Sequence, residues 1–222
     1  LYMSKQKKIN SIVVGSGFGG IASALRLRAL GHNVTLVDRL PEIGGRAQVF
    51  NLKGFKHDAG PTVITAPFMF DELFSLFGED RKKYLKFVAL DPWYRFYFHD
   101  KSSFDYCRTV KDTKLEIKKF SNDDAEGYEK LLKISKDIFD IGFTQLSDKP
   151  FNSFWFMCKQ IPALIKLKAH LTVSQLVGRY LKNPKIRSAF SIHPLLVGGN
   201  PFNTTSIYAL IHYLERNWGV YF

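Results

Sequence analysis

The residues most able to do chemistry lie near the start of the chain, in the run Gly15-Ser16-Gly17-Phe18-Gly19-Gly20, which contains the spacing G-x-G-x-x-G. Gly15, Gly17 and Gly20 are the fingerprint positions. Glycines at that spacing let the chain turn sharply and let backbone N–H groups approach a pyrophosphate at a helix N-terminus. About 20 residues further on stands Asp38, where a carboxylate can accept hydrogen bonds from a ribose. A second glycine pair follows in Leu40-Pro41-Glu42-Ile43-Gly44-Gly45-Arg46. Gly44 and Gly45 again permit close backbone approach, and Arg46 brings a cation that suits phosphate. These three features together read as a dinucleotide site.

Such a site needs a particular set of elements to position it. Ser11 to Gly15 reads SIVVG, a short continuous apolar strand of the kind buried on both faces of a parallel sheet. Gly19 to Leu30 is rich in helix formers and Gly31 suits its C-cap, while Val34 to Val37 reads as a second strand. Strand, helix and strand form a βαβ unit with a right-handed crossover. Beyond it, hairpins are predicted around Lys53-Gly54 and between Tyr94–Phe98 and Ser103–Tyr106, with a helix over Thr65 to Phe77. The pattern then turns helical. Ser121 and Asp124 have the spacing of a capping box, and Tyr128, Leu131, Leu132, Ser135, Ile138 and Phe139 share one helical face. Further helices are predicted over Thr172 to Lys182 and Thr205 to Asn217. The change of pattern near residue 90 divides the chain into 1–90, a dinucleotide-binding part, and 91–222, a substrate- and membrane-facing part.

The glycine pair before Arg46 resembles the GG-motif flavoproteins, in which G-G-R follows the second strand of an FAD-binding Rossmann domain. The resemblance narrows at Asp58-Ala59-Gly60-Pro61-Thr62-Val63-Ile64-Thr65 and at His193-Pro194-Leu195-Leu196-Val197-Gly198-Gly199-Asn200-Pro201-Phe202, with Ser206-Ile207-Tyr208 and Glu215-Arg216-Asn217-Trp218-Gly219-Val220 following. These strings are similar to those of bacterial-type phytoene desaturases, in the carotenoid desaturase family. The resemblance runs from about Lys8 to Phe222 and implies an α/β fold: a Rossmann-type FAD-binding domain with an inserted α+β substrate domain. It implies FAD as cofactor, with Gly60, Pro61 and Thr62 near the flavin and Arg39 tuning the adenosine end rather than selecting a 2′-phosphate. It further implies hydride transfer to flavin N5 and loss of a proton from the adjacent carbon of phytoene or a related carotenoid, inside a long apolar tunnel. A neurosporene desaturase or a saturase is the alternative enzyme. A non-enzymatic prenyl-binding protein resembling the GDP-dissociation inhibitors is the alternative class. Members of the family are roughly twice this length, so the chain is expected to be incomplete and inert alone.

No secure catalytic acid or base emerges. His193 is the most reactive-looking residue of the stretch Ser188 to Leu214, which lacks Asp, Glu, Lys and Arg, but a lone histidine in apolar surroundings is more often a hydrogen-bonded core residue.

The net charge is +12 over 222 residues, a balance compatible with nucleic acid or anionic lipid. The basic residues are scattered and no nucleic-acid-binding signature accompanies them, so nucleic acid is not expected. An anionic membrane surface fits better, because Phe, Tyr and Trp make up 15% of the chain. Phe151 to Met157, with Lys159, Lys166 and Lys168 beyond it, is a candidate docking patch. Ser188 to Leu214 is long enough to span a bilayer, but Pro194, Gly198, Gly199, Asn200, Pro201 and Asn203 break it, so it belongs inside a protein. Peripheral attachment to the inner face of the cell membrane, on the cytoplasmic side, is therefore expected. Only Cys107 and Cys158 are present, without metal or redox spacing, and read as reduced thiols.

Overall fold

The computed structural model describes residues 9–144, 155, 161–162 and 164–222. Most of the Phe151–Met157 patch, and Lys159, lie outside the described residues. The chain divides into two compact units, one reaching to Val88 and including Phe222, the other running from Ala89 to Tyr221.

In the first unit β1 (Asn10–Val14) and β2 (Asn33–Val37) pair in parallel, with Ile12 opposite Thr35. The crossover is α1 (Phe18–Ala29), which lies against both strands. Gly31 ends it in the left-handed region at φ +90°, where glycine pays no Cβ penalty, while the His32 N–H reaches back to the Leu27 carbonyl. The hairpin β3 (Val49–Leu52) and β4 (Phe55–Asp58) turns on Lys53 and Gly54, both at positive φ as the tight two-residue turn requires. Next comes α2 (Pro67–Ser75), with proline in its first turn where no N–H is needed.

The expectation that the first strand is buried on both faces is corrected. Ile12 is 72% and Val14 82% exposed. A parallel strand is buried only when elements cover both faces of its sheet, and here the sheet has two strands with α1 against it. Among the described residues of this unit only Ser16 and Arg81 are buried, and neither is apolar.

The second unit has a core. Hairpin β5 (Tyr94–Tyr97) and β6 (Ser103–Tyr106) is followed by α3 (Val110–Lys118), α4 (Asn122–Gly142), α5 (Val173–Tyr180), α6 (Pro184–Phe190) and α7 (Leu210–Trp218). Along α4 the residues Tyr128, Leu131, Ser135, Ile138 and Phe139 are buried at helical spacing, with Leu132 at the margin. Phe190 fills the middle, its ring 5.0 Å from both Tyr106 and Tyr128.

Two local expectations are corrected in this unit. The capping box at α4 is half formed: the Ser121 hydroxyl accepts from the Asp124 N–H, but the Asp124 carboxylate turns away and accepts the N–H groups of Lys182 and Asn183, each at 2.8 Å. Buried charge needs donors, and the backbone between α5 and α6 supplies two. The complete box sits instead at Thr172 and Gln175. The helix expected over Thr205 to Asn217 starts instead as a 3-10 turn at Ser206–Ala209, and α7 carries it through Trp218.

Among the described residues no helix is long and apolar enough to cross a membrane. The uncharged stretch is broken into the end of α6, a 3-10 turn over His193–Val197 closed by Gly198 at φ +77°, another over Ser206–Ala209, and α7. It is only partly internal: His193, Pro194 and Ala209 are buried, whereas Leu195, Val197 and Phe202 are exposed.

Candidate dinucleotide site

The site begins where β1 runs into α1. Gly15 takes φ +99° and its N–H continues the sheet ladder to the Val37 carbonyl at 2.7 Å. A side chain at Gly20 would overlap the Gly15 carbonyl, so this glycine is demanded by helix–strand packing. Gly17 is different. It has ordinary extended dihedrals, and a Cβ there would meet nothing closer than 4.0 Å. Backbone conformation does not require a glycine at this position, and a Cβ would meet the Gly44 carbonyl and the Gly45 Cα of the second glycine loop only at ordinary contact distance. Gly17 is also the N-cap of α1, without a side-chain cap and without an acidic residue in the first turn, so the helix presents its N–H groups and positive dipole end to an anion.

The second glycine loop docks on the first. The Gly44 N–H donates to the Ser16 carbonyl at 2.9 Å, and Gly17 and Gly44 form a parallel bridge. Gly45 sits at φ +59°, and a Cβ on it would stand 3.0 Å from the Gly17 Cα. Gly60 is held against this loop in turn, since a side chain there would run into the Arg46 carbonyl. Pro61 and Thr62 continue from it and line a cleft of about 220 Å3 with Phe18, Ala47 and Asp58. That is below the ~300–1,000 Å3 usual for a ligand pocket. The cleft is a wall rather than an enclosure.

Asp38 follows the end of β2 beside this loop. Its Oδ2 accepts both the N–H of Ser16 at 2.6 Å and the Ser16 hydroxyl at 2.7 Å, and its Oδ1 accepts the Leu40 N–H at 2.9 Å. These bonds, that of Leu40 foremost, hold the carboxyl down at about 2. Arg39 and Arg46 are exposed, and neither lines the cleft. The structure therefore brings together Gly15, Gly17, Gly20, Asp38, Gly44, Gly45 and Gly60, with Pro61 and Thr62 on the adjoining cleft, and leaves both arginines at the surface. These residues fit a dinucleotide: a capless helix end and an exposed carboxylate follow one another along a single edge.

Sequence reasoning missed Ser16, because the spacing treats the residue between the first two glycines as arbitrary. It also missed a buried polar cluster in the second unit. His193, 1% exposed, has its Nε2 3.0 Å from Glu215 Oε2, while the Tyr94 hydroxyl donates to Glu215 Oε1 at 2.7 Å. His212 stands with its ring centroid 4.0 Å from that of His193 and its Nε2 3.0 Å from the Phe190 carbonyl. His193 is thus a sealed core residue. Burial and His193 push the His212 imidazole well below its ordinary range, and burial with Glu215 raises the Tyr94 hydroxyl. Among the described residues no His, Cys, Asp and Glu group could hold a metal ion. Burial raises the Cys107 thiol to about 11, which makes it inert.

Residues 13–79 match the family model described as an NAD(P)-binding Rossmann-like domain. A protein of Pantoea ananas named phytoene desaturase (lycopene-forming) is 44% identical over 95% of this chain and 43% of its own length. One of the same name from Pseudescherichia vulneris is 43% identical over 96% of this chain and 43% of its own length. The chain thus spans well under half the length of these relatives. Among solved structures, a Pyrococcus furiosus protein superposes with a TM-score of 0.58 at 16% identity, over 96% of this chain and 44% of that one. The fold is α/β, with a Rossmann-like dinucleotide-binding domain.

Proposed function

We propose that this chain is the dinucleotide-binding part and a portion of the substrate domain of an FAD-dependent desaturase that introduces double bonds into phytoene or a related apolar carotenoid. The observation that carries the cofactor reading is the interlock of the two glycine loops, in which packing fixes Gly20, Gly45 and Gly60 while α1 begins at Gly17 with neither a side-chain cap nor an acidic residue in its first turn. The names of the relatives support the substrate class.

FAD supplies a hydride acceptor when bound. The chain's own part is to hold and orient it. The N-terminus of α1 and the Gly15–Gly20 loop hold the pyrophosphate, Asp38 accepts from the ribose, Arg39 tunes the adenosine end, Arg46 adds positive charge near the phosphates, and Gly60, Pro61 and Thr62 form a wall beside the ring system. Phytoene offers no polar handle, so its orientation depends on shape and burial. Attachment to the inner, cytoplasmic face of the membrane is peripheral, drawn by the net charge of +12 and by exposed aromatic and aliphatic side chains.

Two measurements test this reading. Titration of the purified chain with FAD should quench flavin fluorescence saturably, and absence of binding would remove the cofactor. Expression of a full-length protein containing this chain in phytoene-accumulating cells should yield lycopene or neurosporene. Unchanged phytoene would remove the desaturase, and a protein that binds prenyl chains without converting them would replace it.

A further inference from the structure

Ser16 is the one fully buried residue of the glycine loop, with the glycines on either side half-exposed. It makes three polar bonds to two different segments. Its hydroxyl and its N–H both donate to Asp38 Oδ2, at 2.7 and 2.6 Å, and its carbonyl accepts the Gly44 N–H at 2.9 Å. One residue between two glycines therefore ties the end of β2 to the loop through its hydroxyl and N–H, and the second glycine loop through its backbone carbonyl. The consequence for Asp38 follows from counting acceptor directions. A carboxylate has about four, two on each oxygen. Ser16 uses both on Oδ2, Leu40 uses one on Oδ1 and the Arg39 N–H also bears on the carboxylate, so the capacity left for a ligand is on Oδ1.

We propose that Ser16 is a positioning residue of the adenosine end: it locks the Asp38 carboxylate so that Oδ1 alone receives one ribose hydroxyl, and it fixes the second glycine loop in the same act. The inference rests on the dinucleotide reading above and deepens it. A carboxylate left free to turn must be ordered when the ligand arrives, whereas one already held by two donors loses little further freedom. The low titration of Asp38 agrees with this lock, the hydroxyl and N–H of Ser16 standing next after Leu40 among its causes.

The test uses the 222-residue chain with FAD as the probe, and Ser16→Ala, which removes the hydroxyl and keeps the N–H. Ser16→Ala should weaken FAD binding about tenfold, equivalent to ~1.4 kcal/mol. In the absence of FAD, the carboxyl 13C titration of Asp38 should move upward from about 2. In an Asp38→Asn background the same Ser16→Ala change should cost little more, because its route is already cut. Circular dichroism checks that each variant is folded. An unaltered chain that binds no FAD overturns this inference together with the cofactor reading. A chain that binds FAD, with Ser16→Ala binding equally well and the Asp38 titration unmoved, overturns this inference alone. A full loss on top of Asp38→Asn shows that Ser16 acts by some other route and also overturns it.

Discussion

The two units stabilise themselves by different means. Among the described residues the second buries twenty apolar side chains, from Trp93 to Val220, and the first none. Yet the residues of the candidate dinucleotide site belong to the first, where they are held by backbone hydrogen bonds, positive-φ glycines and close glycine contacts. Hydrogen bonds fix geometry but contribute modestly to net stability, whereas apolar burial contributes most of it. The site is therefore sharply shaped on a thinly stabilised support, and the exposed Ile12, Val14, Phe50 and Phe55 are surface that a stable sheet would cover.

The largest expected effect breaks this comparison if it fails. Phe190→Ala, which removes a ring packed against Phe104, Tyr106, Tyr128 and His212, should destabilise the second unit by about 3–5 kcal/mol. Ile12→Ala removes a side chain already exposed and should cost under ~0.5 kcal/mol. Urea denaturation of both variants provides the measurement, and equal losses would show that the units do not differ as described.

Acidification should separate the units next. His212 is buried and its folded value lies well below about 6.5, its ordinary one. Below pH 6.5 the unfolded chain takes up a proton that the folded chain refuses, so stability falls as pH falls. The Phe190 carbonyl favours a charged ring, but burial, His193 and Arg216 outweigh it. In the first unit the Asp38 bonds persist until pH approaches about 2, so they should outlast the second unit's core. Loss of near-UV ellipticity from pH 6.5 downward, abolished by His212→Gln, is the expected outcome.

Within the first unit, the glycines separate by what demands them. Gly20→Ala should strain the junction of β1 and α1, lowering both melting temperature and FAD affinity, because the added methyl meets the Gly15 carbonyl. Gly17→Val should abolish FAD binding by placing bulk at the bare N-terminus of α1, with a smaller loss of melting temperature than Gly20→Ala, because its Cβ meets Gly44 and Gly45 only at 4.0 Å. If both variants lose stability equally, Gly17 is demanded by packing rather than kept for a ligand.

Local signals made much of this legible in the sequence. The βαβ unit, the turn at Lys53-Gly54 and the buried stripe of α4 each depend on residues close along the chain, and each forms at the expected place. What stayed hidden depends on residues far apart. Tyr94, His193, His212 and Glu215 meet only when the hairpin, the 3-10 turn at His193–Val197 and α7 pack together, and no spacing announces them. Ser16 and Asp38 are 22 residues apart, and their bond depends on β2 ending beside the loop. The apolar run of β1 signalled a buried strand correctly in type, but burial is a property of what covers it.

The smallest effect concerns helix ends and sharpens the comparison most. In the second unit Thr109, Ser121, Thr172 and Asn183 each cap a helix with a side-chain oxygen. In the first, α1 and α2 begin at Gly17 and Ala66 without one. A cap satisfies N–H groups that a phosphate would otherwise use, so capping suits a structural helix and its absence suits a binding one. Thr172→Ala should therefore cost about 1 kcal/mol and leave FAD affinity unchanged. Gly17→Ser reverses both signs. Gly17 already has the extended dihedrals of an N-cap and space for a side chain, so serine should stabilise the chain by only a few tenths of a kcal/mol, the margin by which serine exceeds glycine as a cap. Its hydroxyl would occupy the N–H groups that a phosphate would use, so FAD affinity should fall while stability rises. Isothermal titration beside thermal melting resolves the two signs, and a Gly17→Ser chain that binds FAD as well as the unaltered one would show that the bare end of α1 is not kept for phosphate.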